Sequence, residues 1–389
     1  MTDENPDTGP LLELRATLDA LDHELLDLLV RRREVVADVA ARKRSHRVRI
    51  RDLERERRIL EDRCARAEAL GLSPDSIESV FRQLMLMSRE RQAALRAEVP
   101  PDVQGQTIAI IGGEGGMGRS LNTLFSDLGH EVSSADIGTE LRPEDAAATA
   151  DVVIISVPIR ETRGVIEQIG PLVRKDALLM DVTSIKTDPM EAMLESTEAS
   201  VLGPHPMFSP GVNTYQGQRV VRCRGRGDEW FDWARQMFAA RGLLITEASA
   251  AEHDSMMAIV QVLHHFKTQV LGLALSRSGP PLEETLRFTS PAYLLETYVA
   301  GRHFAQSPEL YGPIEMLNPD SQRVIAIFRD AAADLARILA NQDQEAFDAL
   351  FAEVRAFFGE FTDGSPEHAF VFRSAHLVDG HRFPARESA

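Results

Sequence analysis

Two sets of side chains in this sequence could do chemistry, and of different kinds. In the first hundred residues, cations and hydrogen-bond donors recur without an obvious nucleophile. Arg32 and Lys43 are eleven residues apart, three turns of a helix, and so lie on nearly one face. Asp52, Arg55 and Glu56 share a face at i, i+3 and i+4, and Ser88 and Gln92 form an i, i+4 pair. Such a set can hold a small dianion and stabilise negative charge that grows on it, which needs positioning and fixed donors rather than an acid or base. Arg15 stands 17 residues before Arg32, about 25 Å along a continuous helix. One small ligand cannot touch both from the same chain, so Arg15 takes part only if a second chain supplies it. That demands a dimer with exchanged long helices. A helical arm that merely dimerises is the other reading, and it predicts charges spread without convergence.

The second set begins at TIAIIGGEGGMG. Gly113-Glu114-Gly115-Gly116-Met117-Gly118 is a G-x-G-x-x-G directly after a strand-like run and before a helical one. Glycines there allow a tight turn, close backbone approach to a pyrophosphate, and a helix N-terminus aimed at its charge. Asp136 follows about 18 residues beyond Gly118, at the end of the next strand-like run. An acid there suits the ribose hydroxyl of NAD and disfavours the extra phosphate of NADP, although Arg142 lies close enough to contact one. Further on, DVTSIK (181–186) and GPHPMF (203–208) lie where strands should end, the place for chemistry in an open α/β sheet. His205 is bracketed by prolines, which predicts a stiffly held imidazole, exposed in the cleft and suited to proton transfer.

These residues need elements to carry them. Leu11, Leu14, Leu18, Leu21, Leu25, Leu28, Val35 and Val39 recur at three/four spacing and predict a long amphipathic helix. After a softer region near 45–50, Asp52 opens a second helix that Gly71 ends, and Ser73-Pro74-Asp75 starts a third, to about Ala97. Pro100-Pro101 is a linker. Strand-like runs then alternate with helical ones (TIAIIG, EVSSAD, DVVIISVP, ALLMDVTS, SVLG), the pattern of a parallel sheet with helices on both faces. From about Glu247 the sequence is helical to near Gly359, and the tail after Asp363 is loop-like. The expected architecture is an all-α N-terminal domain of three helices (11–99), a Rossmann-type α/β dinucleotide-binding domain (103–247) and an α-helical C-terminal domain (248–375).

Bulk composition narrows the functions. Net charge is −17, which argues against a general nucleic-acid binder. Residues 11–100 nevertheless hold 19 Lys/Arg against 17 Asp/Glu, so an anion site is best sought there. No apolar run is long enough for a membrane span, and the acidic N-terminus has no apolar signal segment. Cys64 and Cys223 form no metal-type spacing, so no metal is expected and the reading is cytoplasmic.

GPHPMFSP, the glycine loop, SVPI at Ser156–Ile159 and EHD at Glu252–Asp254 resemble the TyrA family of prephenate dehydrogenases over residues 105–375. The resemblance implies NAD as cofactor, held by the loop, Asp136, Ser156, Val157 and Pro158. It implies that His205 and Ser184 contact the ring hydroxyl of prephenate, that Lys186 follows in the same turn, that Arg302 binds a carboxylate, and that His265 lines the pocket. A dianion needs such a fixed cation, and arginine binds carboxylate in a fork. His253 and Asp254 are read equally well as a helix-opening polar pair. Three positions depart from fused relatives: Leu294 where a second arginine is usual, His264 for another basic residue, and Ser209 for a glycine.

The run LRATLDALDHELLDLLVRRREVVADVAARK with RDLERERRIL resembles the AroQ class of helical chorismate mutases over residues 11–97. It implies carboxylate contacts from Arg15 of a partner, Arg32, Arg55 and Ser88. Lys43 and Gln92 would donate to the ether oxygen, and Asp52 and Glu56 would sit at the ring hydroxyl. Together the two resemblances imply a dimeric two-headed enzyme converting chorismate to prephenate and prephenate to 4-hydroxyphenylpyruvate. An alternative keeps both folds but uses the 4-amino analogues of specialised metabolism. Feedback by the end product is common in the resembled family, so the resemblance makes tyrosine a further candidate ligand.

Overall fold

Thirty-six residues without an internal proline or glycine form α1 (Pro10–Ser45) in the computed structural model, which describes residues 10–45, 52–95, 104–212 and 214–359. The helix opens on Pro10, where a missing N–H costs nothing. Asp52 caps α2 (Leu53–Ala69), its carboxylate accepting the Arg55 N–H at 2.9 Å. Gly71, at φ +73°, closes that helix: its N–H bonds back to Glu68 and that of Leu72 to Ala67, a paired C-terminal cap. Ser73 caps α3 (Pro74–Leu95), accepting from the Ser76 N–H at 3.3 Å. The softer region after Ser45, the end of the third helix and the tail after Asp363 lie outside the described residues.

Both α1 and α2 pack on α3. The interior of this unit is thin, with Ala40, Ala67 and Met85 as its buried apolar side chains among the described residues. Leu14, Leu18, Leu21, Leu25 and Leu28 are instead 51–63% exposed, a bare stripe along the first half of α1.

The second unit holds the whole sheet, α4–α7 and the helices from α9 onward. Its strands are β1 (Thr107–Ile111), β2 (Glu131–Ala135), β3 (Val152–Ile155), β4 (Leu178–Asp181), β5 (Ser200–Pro206), β6 (Arg219–Arg226) and β7 (Leu244–Ala248). Sheet order is β2-β1-β3-β4-β5-β6-β7, and every pair from β2 through β5 is parallel. The order reverses between β1 and β3, the crevice where open α/β sheets bind ligands. Strands β3 and β4 are buried on both faces, as their unbroken apolar runs require. Between strands lie α4 (Gly116–Ser126), α5 (Pro143–Thr149), α6 (Ile159–Ile169), α7 (Thr187–Ser196) and α8 (Asp228–Ala240).

Two strands are absent from the sequence reading. β6 runs antiparallel to β5, and β7 pairs parallel with β6, so the sheet is mixed rather than wholly parallel. β6 reads RVVRCRGR, whose arginines disguise an inner strand. Arg222 is nevertheless fully buried, bonded to the Phe231 carbonyl and to Glu247, each at 2.8 Å.

The C-terminal part is helical: α9 (Ala250–Met257), a π turn (Ala258–Leu263), α10 (His264–Arg277), α11 (Leu282–Leu286), α12 (Pro291–Phe304), α13 (Pro308–Leu317), α14 (Ser321–Ala340) and α15 (Gln344–Phe358). The π turn packs on α14 through Ala258, Val262 and Val324. No described helix is long and apolar enough to cross a membrane.

Candidate active sites

In the helical unit, Arg32 reaches from α1 to α3. Its guanidinium donates to Ser88 Oγ at 2.6 Å and to the Leu84 carbonyl at 3.0 Å, and burial lowers its pKa. Gln92, 7% exposed, donates one turn back to the Ser88 carbonyl, while its buried Oε1 has no protein partner. Arg32, Ser88 and Gln92 are thus brought together. Lys43 is half-buried on α1, about 16 Å along the axis from Arg32. Glu56 pairs with Arg89 at 2.7 Å, which ties α2 to α3 beside Ser88. Sequence reasoning missed Arg89, which directly follows Ser88. Asp52 is spent locally as the α2 cap, Arg55 is exposed, and Arg15 is exposed on the same continuous helix as Arg32, so the described chain does not bring it to that cluster.

The glycine loop fits a dinucleotide by what it excludes. Gly112 has φ +82°, and a Cβ there would lie 2.5 Å from the Ser156 carbonyl. A Cβ on Gly113 would strike Ser134 at 2.4 Å, and one on Gly118 the Gly112 carbonyl at 2.4 Å. The loop is therefore pressed against β2 and the end of β3, so that Gly115 can cap α4 and Gly116, Met117 and Gly118 can form its first turn, N–H groups foremost. Asp136, just past β2, reaches the loop by accepting the Glu114 N–H at 3.0 Å.

Beside the loop lies a cavity of about 670 Å³. Met117 and Ser156–Pro158 line the nucleotide side, Ser184 and His205 the floor, and Gln261, His264, His265, Arg302, His303 and Tyr311 the helical wall. Elements remote in sequence, from the ends of β3, β4 and β5 to the C-terminal helices, thus converge on one volume. Arg302 donates to Ser209 Oγ at 2.8 Å, a contact that a glycine could not offer. His303 stacks on Tyr311 at 3.9 Å between ring centres, and burial and His303 push His265 down to about 4. Leu294 is buried in α12 and does not line the cavity.

His205 corrects an expectation. It is not exposed in the cleft but only 3% exposed, because it lies within β5, flanked by β6, with His253 packed on its ring. Its Nδ1 is 2.8 Å from His253 Nε2, and His253 Nδ1 is 2.8 Å from Asp254 Oδ1. Asp254 also accepts the backbone N–H groups of Lys186 and Thr187, both at 2.8 Å, which caps α7. Lys186 points away from the cavity: fully buried, it pairs with Asp181 at 2.6 Å. Sequence reasoning missed Gln261, His303 and Tyr311 as cavity residues. Gln261 precedes His264 and His265 by three and four residues, the spacing that shares a helix face, and that pattern was the signal that could have found it.

A glycine loop at a sheet's switch point, opening on a cavity with a buried histidine and an arginine, defines the class of dinucleotide-dependent dehydrogenases. Residues 118–246 match the prephenate dehydrogenase nucleotide-binding domain, residues 249–353 the prephenate dehydrogenase dimerization domain, and residues 14–93 chorismate mutase type II. The chain is 37% identical to the T-protein of Enterobacter agglomerans over 352 residues, 90% of this chain and 93% of that protein. It is 36% identical to the T-protein of Haemophilus influenzae over 355 residues, 91% and 93%. A crystal structure of Aquifex aeolicus prephenate dehydrogenase, in complex with hydroxyphenyl propionate and NAD+, shares the fold at TM-score 0.51 and 17% identity, over 66% of this chain and 98% of that one. This chain belongs to the T-protein family of tyrosine biosynthesis, with a chorismate mutase and a prephenate dehydrogenase in one polypeptide.

Proposed function

We propose that the Arg32–Ser88–Gln92 cluster with Lys43 is the mutase site and that the cavity beneath the glycine loop oxidises prephenate with NAD. The observation that carries the second assignment is the convergence of Met117, Ser156, Ser184, His205 and Arg302 on one cavity. In the first site, Arg32, Arg55, Ser88 and Arg15 of a second chain hold the two carboxylates. Asp52 and Glu56 lie toward the ring hydroxyl. Lys43 and Gln92 meet the ether oxygen as its bond to carbon breaks. No proton changes hands in this rearrangement, so orientation and charge stabilisation carry it.

In the second site, Arg302 takes a carboxylate, Ser184 and His205 take the ring hydroxyl, and His265 lines the far wall. When bound, the nicotinamide accepts the hydride that leaves C4 of prephenate, and loss of CO2 makes the ring aromatic. His205 holds the hydroxyl proton while this happens. Asp136 receives the adenosine ribose hydroxyls through its carboxylate, and Arg142 is turned instead toward Glu144 at 3.5 Å. Replacing Asp136 by alanine is expected to raise KM for NAD by about tenfold or more, because a charged hydrogen bond is lost, and to narrow the preference over NADP. Equal use of NAD and NADP by the unaltered protein removes that role.

The bare leucine stripe of α1 supports a homodimer in which long helices pair and Arg15 crosses to the other chain's site. Sedimentation at about twice 43.1 kDa is the expected result. Chorismate with NAD should yield NADH and 4-hydroxyphenylpyruvate from this protein alone. Turnover of the 4-amino analogue and not of chorismate moves the substrate to the amino series.

A further inference from the structure

Considered alone, the His205 ring is a reluctant base. Burial, with His253 and Lys186 nearby, pushes its imidazolium well below the ordinary histidine range. The bonds behind it change that. Burial works against the charge on Asp254, but hydrogen bonds from His253, Thr187 and Lys186 outweigh it and keep the carboxyl below its usual range. A carboxylate only accepts, so His253 Nδ1 carries the hydrogen of the 2.8 Å bond between them. Burial also lowers His253, so that ring is neutral and its Nε2 is the acceptor. In the 2.8 Å contact with His205 the donor is then His205 Nδ1. This leaves the lone pair of His205 on Nε2, the nitrogen that the chain of bonds does not use.

We infer that His253 and Asp254 are positioning residues for prephenate oxidation: they hold His205 in the Nδ1–H tautomer, with Nε2 free to take the substrate's hydroxyl proton, and they draw off the charge that the proton brings. The inference rests on His205 being the proton acceptor. The step balances without a further reactant. The O–H bond breaks and Nε2–H forms as hydride leaves C4. The C–CO2 electron pair enters the ring, and the proton returns to the phenolate oxygen. During that interval the imidazolium is one histidine away from the Asp254 carboxylate. The other ionisable groups packed around the chain are Lys186 and Asp181, which neutralise each other at 2.6 Å, the Cys223 thiol, which burial pushes up to about 12, and Asp320 beyond Asp254. None of these replaces Asp254 as the counter-charge: Asp181 is committed to Lys186 and to Thr183. Asp320 bonds Ser255.

The test is a pair of variants in the full chain. His253→Leu removes the acceptor and should lower kcat on prephenate by about 10²–10³-fold, the scale of a wrong tautomer partly tolerated, with KM for prephenate and NAD nearly unchanged. His253→Gln puts an amide oxygen where Nε2 was and should restore kcat to within about tenfold of the unaltered enzyme. Nitrogen NMR of labelled histidine should show hydrogen on His205 Nδ1 in the unaltered protein and in H253Q. Full activity in H253L, no rescue in H253Q, or hydrogen on Nε2 in the unaltered protein overturns the inference. His205→Asn separates the two ideas: if it keeps its rate, the assignment of His205 fails. If it is inactive while H253L is not, only the role of His253 fails.

Discussion

Replacing His205 by asparagine should cut kcat for prephenate oxidation by about 10²–10⁴-fold while NAD affinity stays within a small factor, the range that a positioned acid–base group supplies. The choice of asparagine matters. Its amide N–H stands where Nδ1 stood and can still donate to His253, so the buried pair is not broken, yet nothing occupies the place of Nε2. The loss then reports the missing proton acceptor rather than a collapsed core. His205 lies within β5, which β6 and β7 separate from the sheet edge, and the retained bond to His253 lets the fold tolerate the change. The pH profile provides a second check. Because burial, His253 and Lys186 disfavour the cation, His205 is neutral through the physiological range, and kcat should stay flat as pH falls through about 6.5 rather than lose half its value there. A normal kcat in H205N removes His205 from the mechanism.

Lys43→Ala should lower chorismate rearrangement by about 10²–10³-fold, the effect of deleting one oriented donor at a developing negative charge. Oxidation of supplied prephenate should be almost unaffected, because Lys43 belongs to the helical unit and the oxidation cavity is lined wholly from the second. The magnitude separates this from an ordinary surface charge, whose removal costs about 0–1 kcal/mol and no catalysis. Arg32 and Gln92 remain in place across α1 and α3, so substrate can still be held and the defect should fall on kcat. Following chorismate loss, and NADH formation from supplied prephenate, in separate assays decides the matter: a parallel fall in both rates ends the case for two independent sites.

Much of this molecule could be read along the chain because the signals are local. The three/four spacing of leucines, the Asp52 cap and Gly71 depend on neighbours within a turn, so the three helices, both ends of the second and the start of the third were legible. Gly113–Gly118 was legible for the same reason: strand, turn and helix are contiguous, and Gly113 and Gly118 answer a steric need on the next strand or within a few residues. β6 was not, because arginines stand where an inner strand should be apolar, and only burial of Arg222 between Phe231 and Glu247 makes them acceptable; β7 was not, because LITEA is a short, largely exposed edge strand without an unbroken apolar run. The length of α1 and the distance from Arg15 to Arg32 are likewise properties of sequence.

What the tertiary structure alone decided is which distant groups meet. Residue order could offer His205, His253 and Asp254 as separate candidates, the first two 48 positions apart. Only packing of α9 against the end of β5 makes them a single chain of hydrogen bonds, with Asp254 also capping α7. Likewise, only the packing of the C-terminal helices beside the sheet brings Gln261, His264, His303 and Tyr311 to the cavity that Ser184 and His205 line. Sequence carries the local backbone preferences and the chemical types. The direction in which a buried side chain points is a long-range property, set by burial and by the partners that the fold brings to it.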